Sequence, residues 1–281
     1  MEASPVETGH PLSADQVAFY QRNGYIQVLD VLRKDELEDA RAAVARVLEN
    51  TLDRGHDLSG QNAEYDKVFV QKINLWQVDE GIRRHTFSSK LAEIARQLTH
   101  ASHIRLWHDQ VLVKNPGDSK PSPWHQDFPY WPIREIGGLS CWMALDDVDE
   151  QNGCMAFVPG SHWYGVLEPI RLTDPQDLFG LVPRDSPVGA DFTPIFQPML
   201  AGSCTFHNAL TFHYAGSNRT DRPRRALVTI YMPGDVHFTG EQHAITRDLG
   251  LQKGDVLAGD RFPVLARAEA PAGNTSTVLM S

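Results

Sequence analysis

Cysteine is scarce in this chain: Cys141, Cys154 and Cys204 are the only three among 281 residues. The number is odd and no CxxC spacing occurs, so neither a disulfide framework nor a cysteine-rich zinc site is expected. Positive charge is also in deficit, with 26 Lys and Arg against 36 Asp and Glu and a formal charge of -10. A surface this acidic repels phosphate backbones and anionic membranes unless cations are gathered locally, so no nucleic-acid partner is expected. No apolar run approaches the roughly 20 residues that cross a bilayer. The opening MEASPVETGHPLSADQ has neither the basic nor the apolar region of a signal peptide,. Together these absences lead to the expectation of no membrane association and a cytoplasmic location. Glycine-rich phosphate loops, dinucleotide fingerprints and a GxSxG elbow are missing too, which argues against nucleotide-dependent and serine-hydrolase chemistry.

What is present is a globular composition, 41% hydrophobic and 22% charged, enough to bury a sizeable core. No internal repeat or long polar linker divides the chain, so a single domain over 1–281 is expected, with a loose tail after about Glu269,. Helical signals fill about 13–100. Ser13 with Gln16 forms a capping-box pattern and Gly24 is a helix stop, followed by an alternating strand from Tyr25 to Leu32,. Leu37, Ala40, Val44, Val47, Leu48 and Leu52 recur at three- and four-residue steps, and Leu91, Ile94, Ala95 and Leu98 repeat the stripe,. From Ile104 the rhythm becomes short β-rich runs broken by Gly and Pro, as in IRLWHDQVLVK, GLSCWMAL, CMAFVP and RALVTIYMP,. A mainly β sandwich, jelly roll or barrel over about 104–267 is expected, with the helices packed outside. The proline-rich stretch 163–200 predicts a lid or binding insertion.

The sharpest chemical feature is PSPWHQDFPYWP, in which His125 and Asp127 stand two apart. If both lie on a strand they share a face, and could hold two corners of a metal shell. The plainer reading of the pair is a half-buried histidine bonded to a carboxylate. Farther on, FHNALTFHYAGSNRTDRPRRALVTIYMP brings His207, His213 and a basic run that enters a strand at Arg224 or Arg225. A third ligand from this segment would complete the two-histidine, one-carboxylate face of an octahedral iron, leaving three positions for a bidentate 2-oxo acid and dioxygen. A nearby Arg would suit the distal carboxylate of such a cosubstrate, because its planar fork matches carboxylate geometry.

From about Ile104 to Pro233 the motifs NPGDS, WHQD, CWMAL, NGCMAFVPGSH and GSCTFHNALTFHYAGSNRTDRPRRA follow in order. In this the sequence resembles the phytanoyl-CoA dioxygenase family of iron(II)- and 2-oxoglutarate-dependent oxygenases. The resemblance implies a double-stranded β-helix core of cupin-like jelly-roll type, and Fe(II), 2-oxoglutarate and O2 as cofactor and cosubstrates. It also implies His125, Asp127 and His213 as metal ligands and Arg224 as the anchor of the 2-oxoglutarate carboxylate. Gln126, Trp142 and Lys114 match positions near the cosubstrate, and His207 is implied as structural or as an orienting partner. A small hydroxylated residue often stands two positions after the distal histidine in this family; here it is Ala215. Halogenating relatives lack the carboxylate ligand, so the presence of Asp127 argues against halogenation.

Trp124, Phe128, Tyr130 and Trp131 are expected to wall a substrate pocket for a small or medium-sized organic molecule, although aromatics also simply fill β cores. Hydroxylation of a C–H bond with release of succinate and CO2 is the expected outcome. Desaturation, epimerisation, cyclisation, or a binding protein without turnover are the alternatives. Oligomeric state is open, since no interface stripe stands out.

Overall fold

A computed structural model describes residues 12–50, 52, 56–59, 62–117, 119–173, 178–182 and 192–268. Helix α1 (Ala14–Asn23) begins with the expected box: the Ser13 hydroxyl accepts from Gln16 N–H at 3.3 Å, and Ser13 N–H donates to Gln16 Oε1 at 2.6 Å. Gly24 ends it in the left-handed conformation, φ 78, where a side chain would run into Thr211 and His162,. The apolar stripes become the buried faces of α2 (Lys34–Glu49) and α5 (Ser89–Thr99). Two shorter helices, α3 (Ala63–Asp66) and α4 (Glu80–Thr86), lack the length to show a stripe in sequence,.

Eleven strands follow or intervene among the described residues: β1 (Tyr25–Val28), β2 (Val70–Ile73), β3 (His103–Lys114), β4 (Ser122–His125), β5 (Leu139–Ala144), β6 (Met155–Phe157), β7 (Ile195–Gln197), β8 (Cys204–Asn208), β9 (His213–Ala215), β10 (Arg224–Pro233) and β11 (Val264–Arg267). They form two antiparallel sheets. The larger runs β1-β8-β5-β10-β3-β11 with β2 also on β3; the smaller runs β4-β9-β6-β7. This is the jelly roll expected, with the helices packed on one sheet. Alternation sorts its side chains: Leu139, Cys141, Met143, Phe206, Leu227 and Tyr231 join the helices in one core cluster. Trp142, Ala144, Ala226, Val228, Ile230 and Phe157 form the other, between the sheets,. The interior thus faces the smaller sheet, where β4 and β9 lie.

The expected insertion 163–200 packs its described portion through Leu167, Ile170 and Leu178 against Val158 and Phe212. Its stretches 174–177 and 183–191, and the tail from 269, lie outside the described residues. No described helix is long and apolar enough to cross a membrane.

Asp109 on β3 ties the helical layer to the sheet. Its Oδ2 accepts from Trp76 N–H at 2.9 Å and the Thr86 hydroxyl at 3.0 Å, while Oδ1 is buried without a partner. Burial, only partly offset by these donors, pushes its pKa from 3.8 up to about 7,. A folded pKa above the unfolded one gives stability that is full below about pH 4 and lost as pH rises through about 7. Asp109→Asn keeps the neutral shape, so urea unfolding between about pH 5 and about pH 8 should show a smaller loss in the variant than in the wild type. Equal losses would mean the carboxyl is ionised in the fold.

Candidate metal centre and its cavity

His125 closes β4 and His213 opens β9, and the two are register partners across the smaller sheet, with ring centroids 4.0 Å apart. Nδ1 of His125 bonds Pro123 O at 2.7 Å, and Nδ1 of His213 bonds Thr211 O at 3.0 Å. A carbonyl only accepts, so each Nδ1 carries a proton and each Nε2 is the end able to coordinate.

Asp127 does not share a strand face with His125, contrary to the expectation from their spacing. The strand stops at His125, and Asp127 turns into a helical conformation, φ -78 and ψ -43, ahead of the 3-10 turn Phe128–Tyr130. The Ala209 carbonyl pins that turn by accepting the N–H groups of Asp127 at 2.9 Å and Phe128 at 3.0 Å. Oδ1 of Asp127 is thereby 3.9 Å from His125 Nε2 and 3.5 Å from His213 Nε2. The donor atoms of the three residues lie within 4.8 Å of one another, a group that could hold a metal ion.

The other carboxylate oxygen is committed elsewhere. Oδ2 accepts from the Ser140 hydroxyl at 2.9 Å and meets His207 Nε2 at 3.3 Å, while His207 Nδ1 is buried without a partner. Ser140 and His207 are themselves register partners on β5 and β8. They leave one oxygen of Asp127 free to face the histidines. Burial disfavours the Asp127 carboxylate, but the attraction and hydrogen bonds of His213 and His207 outweigh it and hold its pKa well below the usual range. Burial, reinforced by His213, pushes His125 down to about 3; His213 is instead raised, because Asp127 overcomes its burial.

Arg224 begins β10 and is 2% exposed, with its Nε buried and unbonded and its guanidinium 5.1 Å from the Trp142 ring. Burial lowers its pKa to about 10. A buried cation facing a cavity without a carboxylate partner is costly unless an anion arrives to meet it.

The histidines, Asp127, Ser140, His207, Trp142 and Arg224 line one cavity of about 300 Å³, whose wall also includes Tyr130 and Trp131. Ser122 lines it as well and is the register partner of Ala215. It presents, one strand over, the hydroxyl that Ala215 lacks; the sequence gives no sign of this, because the β4–β9 register is invisible there.

Four other expected residues lie away from this wall. Lys114 is fully buried, and its ammonium donates to the carbonyls of Val68 at 2.9 Å and Lys120 at 2.7 Å. The Gln126 amide donates to Gly165 O and Leu210 O, both at 2.8 Å, and accepts from Leu167 N–H at 2.9 Å. It fastens the insertion after β6 to the turn between His125 and Asp127. Trp124 points outward onto Tyr214 and Phe179, at 5.3 and 5.6 Å. Phe128 is buried in the core between the sheets. The cavity lining does not include Lys114, Gln126, Trp124 or Phe128, which were expected near the cosubstrate or the substrate.

Residues 20–226 match the profile of the phytanoyl-CoA dioxygenase family. The chain belongs to the phytanoyl-CoA dioxygenase family. Among curated members, the peroxisomal phytanoyl-CoA dioxygenase of Rattus norvegicus is 25% identical over 242 residues, 81% of this chain and 70% of that one. Among solved structures, the non-haem α-ketoglutarate-dependent carbocyclase SnoK from nogalamycin biosynthesis superposes with a TM-score of 0.76 at 29% identity. That match covers 91% of this chain and 97% of SnoK. The epimerase SnoN, in a complex with Fe3+, α-ketoglutarate and nogalamycin RO, is 31% identical with a TM-score of 0.73, covering 90% and 98%.

Within this family member, the anchoring of Asp127 Oδ2 generates a prediction that needs no substrate. Ser140→Ala and His207→Phe should each weaken Fe(II) binding by about tenfold or more, as loss of partners behind metal ligands commonly does. Anaerobic calorimetric titration measures it; unchanged affinity in both folded variants would show that Oδ2 needs no anchor.

Proposed function

We propose that this chain is an iron(II)- and 2-oxoglutarate-dependent dioxygenase that oxidises a C–H bond of a small or medium-sized organic molecule, by hydroxylation, releasing succinate and CO2. In this reading His125 Nε2, Asp127 Oδ1 and His213 Nε2 hold the iron and Arg224 holds the distal carboxylate of 2-oxoglutarate. One observation carries it: two imidazole nitrogens and a single free carboxylate oxygen converge on the wall of a cavity that is also lined by a buried arginine with no ion pair among the described residues. The donor set fits iron that keeps open positions, since three protein ligands of mixed N and O type leave room for the exogenous ones.

The bound iron and 2-oxo acid supply oxygen activation, drawing two electrons from decarboxylation of the cosubstrate and two from the substrate. The protein's own residues do the positioning. The Nδ1 bonds of His125 and His213 fix both rings, and Ser140 and His207 hold Asp127 to one free oxygen. Arg224, stiffened by its packing on Trp142, offers a fork of donors to a carboxylate,. The aromatic wall of Tyr130, Trp131 and Trp142 keeps bulk water from the reacting atoms,.

Ring closure or epimerisation is a second outcome of the same chemistry, favoured by the likeness to SnoK and SnoN over about nine-tenths of the chain. A reducing cytoplasmic location is part of the proposal, supported by three free, buried cysteines,.

With Fe(II), 2-oxoglutarate and oxygen, the wild type should release succinate, and Asp127→Ala should release none while keeping its circular dichroism spectrum. Arg224→Ala removes a bidentate charge-assisted contact of about 1.5–3 kcal/mol, so half-maximal turnover should need roughly 10- to 100-fold more 2-oxoglutarate. Undiminished succinate from Asp127→Ala would sink the assignment, and an unchanged 2-oxoglutarate requirement would remove Arg224 from it.

A further inference from the structure

The wall that β2 and β3 contribute to the cavity is lined by polar groups that the proposed iron and cosubstrate sites do not use. His108, Gln110 and Leu112 alternate inward along β3, beside Gln71 and Ile73 of β2. A chain of hydrogen bonds sets the amides: Tyr65 Oη–H donates to Gln71 Oε1 at 2.8 Å, and Gln71 Nε2 donates to Gln110 Oε1 at 2.6 Å. The chain ends at Gln110 on the cavity wall, where Oε1 is taken by Gln71 and Nε2 is left as the donor end of the amide.

Two histidines complete the set. His108 Nδ1 bonds the Asp109 carbonyl at 3.0 Å and so carries the proton, which leaves Nε2 as an acceptor,. His243 Nδ1 instead accepts the Ile245 N–H at 3.2 Å, which puts the proton on Nε2 as a donor,. Burial pushes both rings down to about 4, so both are neutral at neutral pH. Asp127 and Arg224 are the only formally charged side chains among the described lining residues.

We propose that the substrate is an uncharged, ring-bearing molecule whose carbonyl and hydroxyl groups are read by Gln110, His108 and His243. The assignment rests on the dioxygenase reading and names its substrate class. A carboxylate at this wall would be buried without a counter-charge. A hydrocarbon acyl chain would leave the amide and both imidazoles unsatisfied, at about tenfold in affinity for each group. A compact ring system with oxygen substituents satisfies the donors and the acceptor, and covers the aromatic faces of Phe69, Tyr130 and Trp131,.

The test uses the protein loaded anaerobically with Fe(II) and 2-oxoglutarate, whose visible charge-transfer band reports the cofactor site independently. Three probes are titrated by tryptophan fluorescence quenching: 2-(hydroxymethyl)anthraquinone, anthraquinone-2-carboxylate and hexadecanoyl-CoA. The first two share one ring system and differ in charge. The alcohol should bind about tenfold or more tightly than the carboxylate, and hexadecanoyl-CoA should not displace it. Gln110→Leu should cost the alcohol about tenfold, and Gln110→Lys should reverse the preference toward the carboxylate. With the band present, the proposal is overturned if the carboxylate or the thioester binds as tightly as the alcohol. It is equally overturned if the alcohol does not bind, or if neither Gln110 variant alters the order. Absence of the band would overturn the dioxygenase reading, and the substrate assignment with it.

Discussion

Pairing of β4 with β9 at His125 and His213 is the contact on which the site depends. It converts 88 positions of sequence separation into neighbouring imidazoles and points both Nε2 atoms the same way. Everything else refines that encounter. The Ala209 carbonyl bends the chain after His125 so that Asp127 reaches the pair, and Ser140 and His207 from the facing sheet decide which of its oxygens is free. The two sheets are thus joined through a carboxylate as well as through their apolar layer.

Unbalanced charge is the second constraint. Lys114 and Arg224 are register partners on β3 and β10, both buried, and neither meets a carboxylate among the described residues. Burial, reinforced by the Arg224 charge, lowers the Lys114 pKa well below its ordinary value. Lys114 answers with two carbonyl acceptors, whereas Arg224 retains an unbonded Nε and faces the cavity. The difference separates them: the Lys114 charge is met by carbonyls within the fold, whereas Arg224 keeps a donor unmet beside the cavity, as the proposed cosubstrate contact requires,.

Local patterns were legible where a residue's role is set by its near neighbours. The Ser13–Gln16 box, the stripes of α2 and α5 and the alternation of β5 and β10 are visible because helix and strand periods repeat over several residues. The residues of the proposed metal site stood out through their motifs, yet the reason they converge did not. Alternation predicts His125 and Asp127 on one strand face, while a backbone contact to Ala209, more than eighty residues away, sets the real geometry. Gln126 shows the same limit: its neighbours in sequence are site residues, but its amide bonds select the insertion instead. Ser122, Ser140 and Gln110 acquire their positions from strand register, which no single segment encodes.

The most direct measurement is a crystal structure of the protein equilibrated anaerobically with Fe(II) and 2-oxoglutarate. The account predicts one metal bound by His125 Nε2, Asp127 Oδ1 and His213 Nε2, with the distal carboxylate of 2-oxoglutarate on Arg224. A metal held by other side chains, or that carboxylate resting on Lys114 while Arg224 stays unpaired, would contradict it.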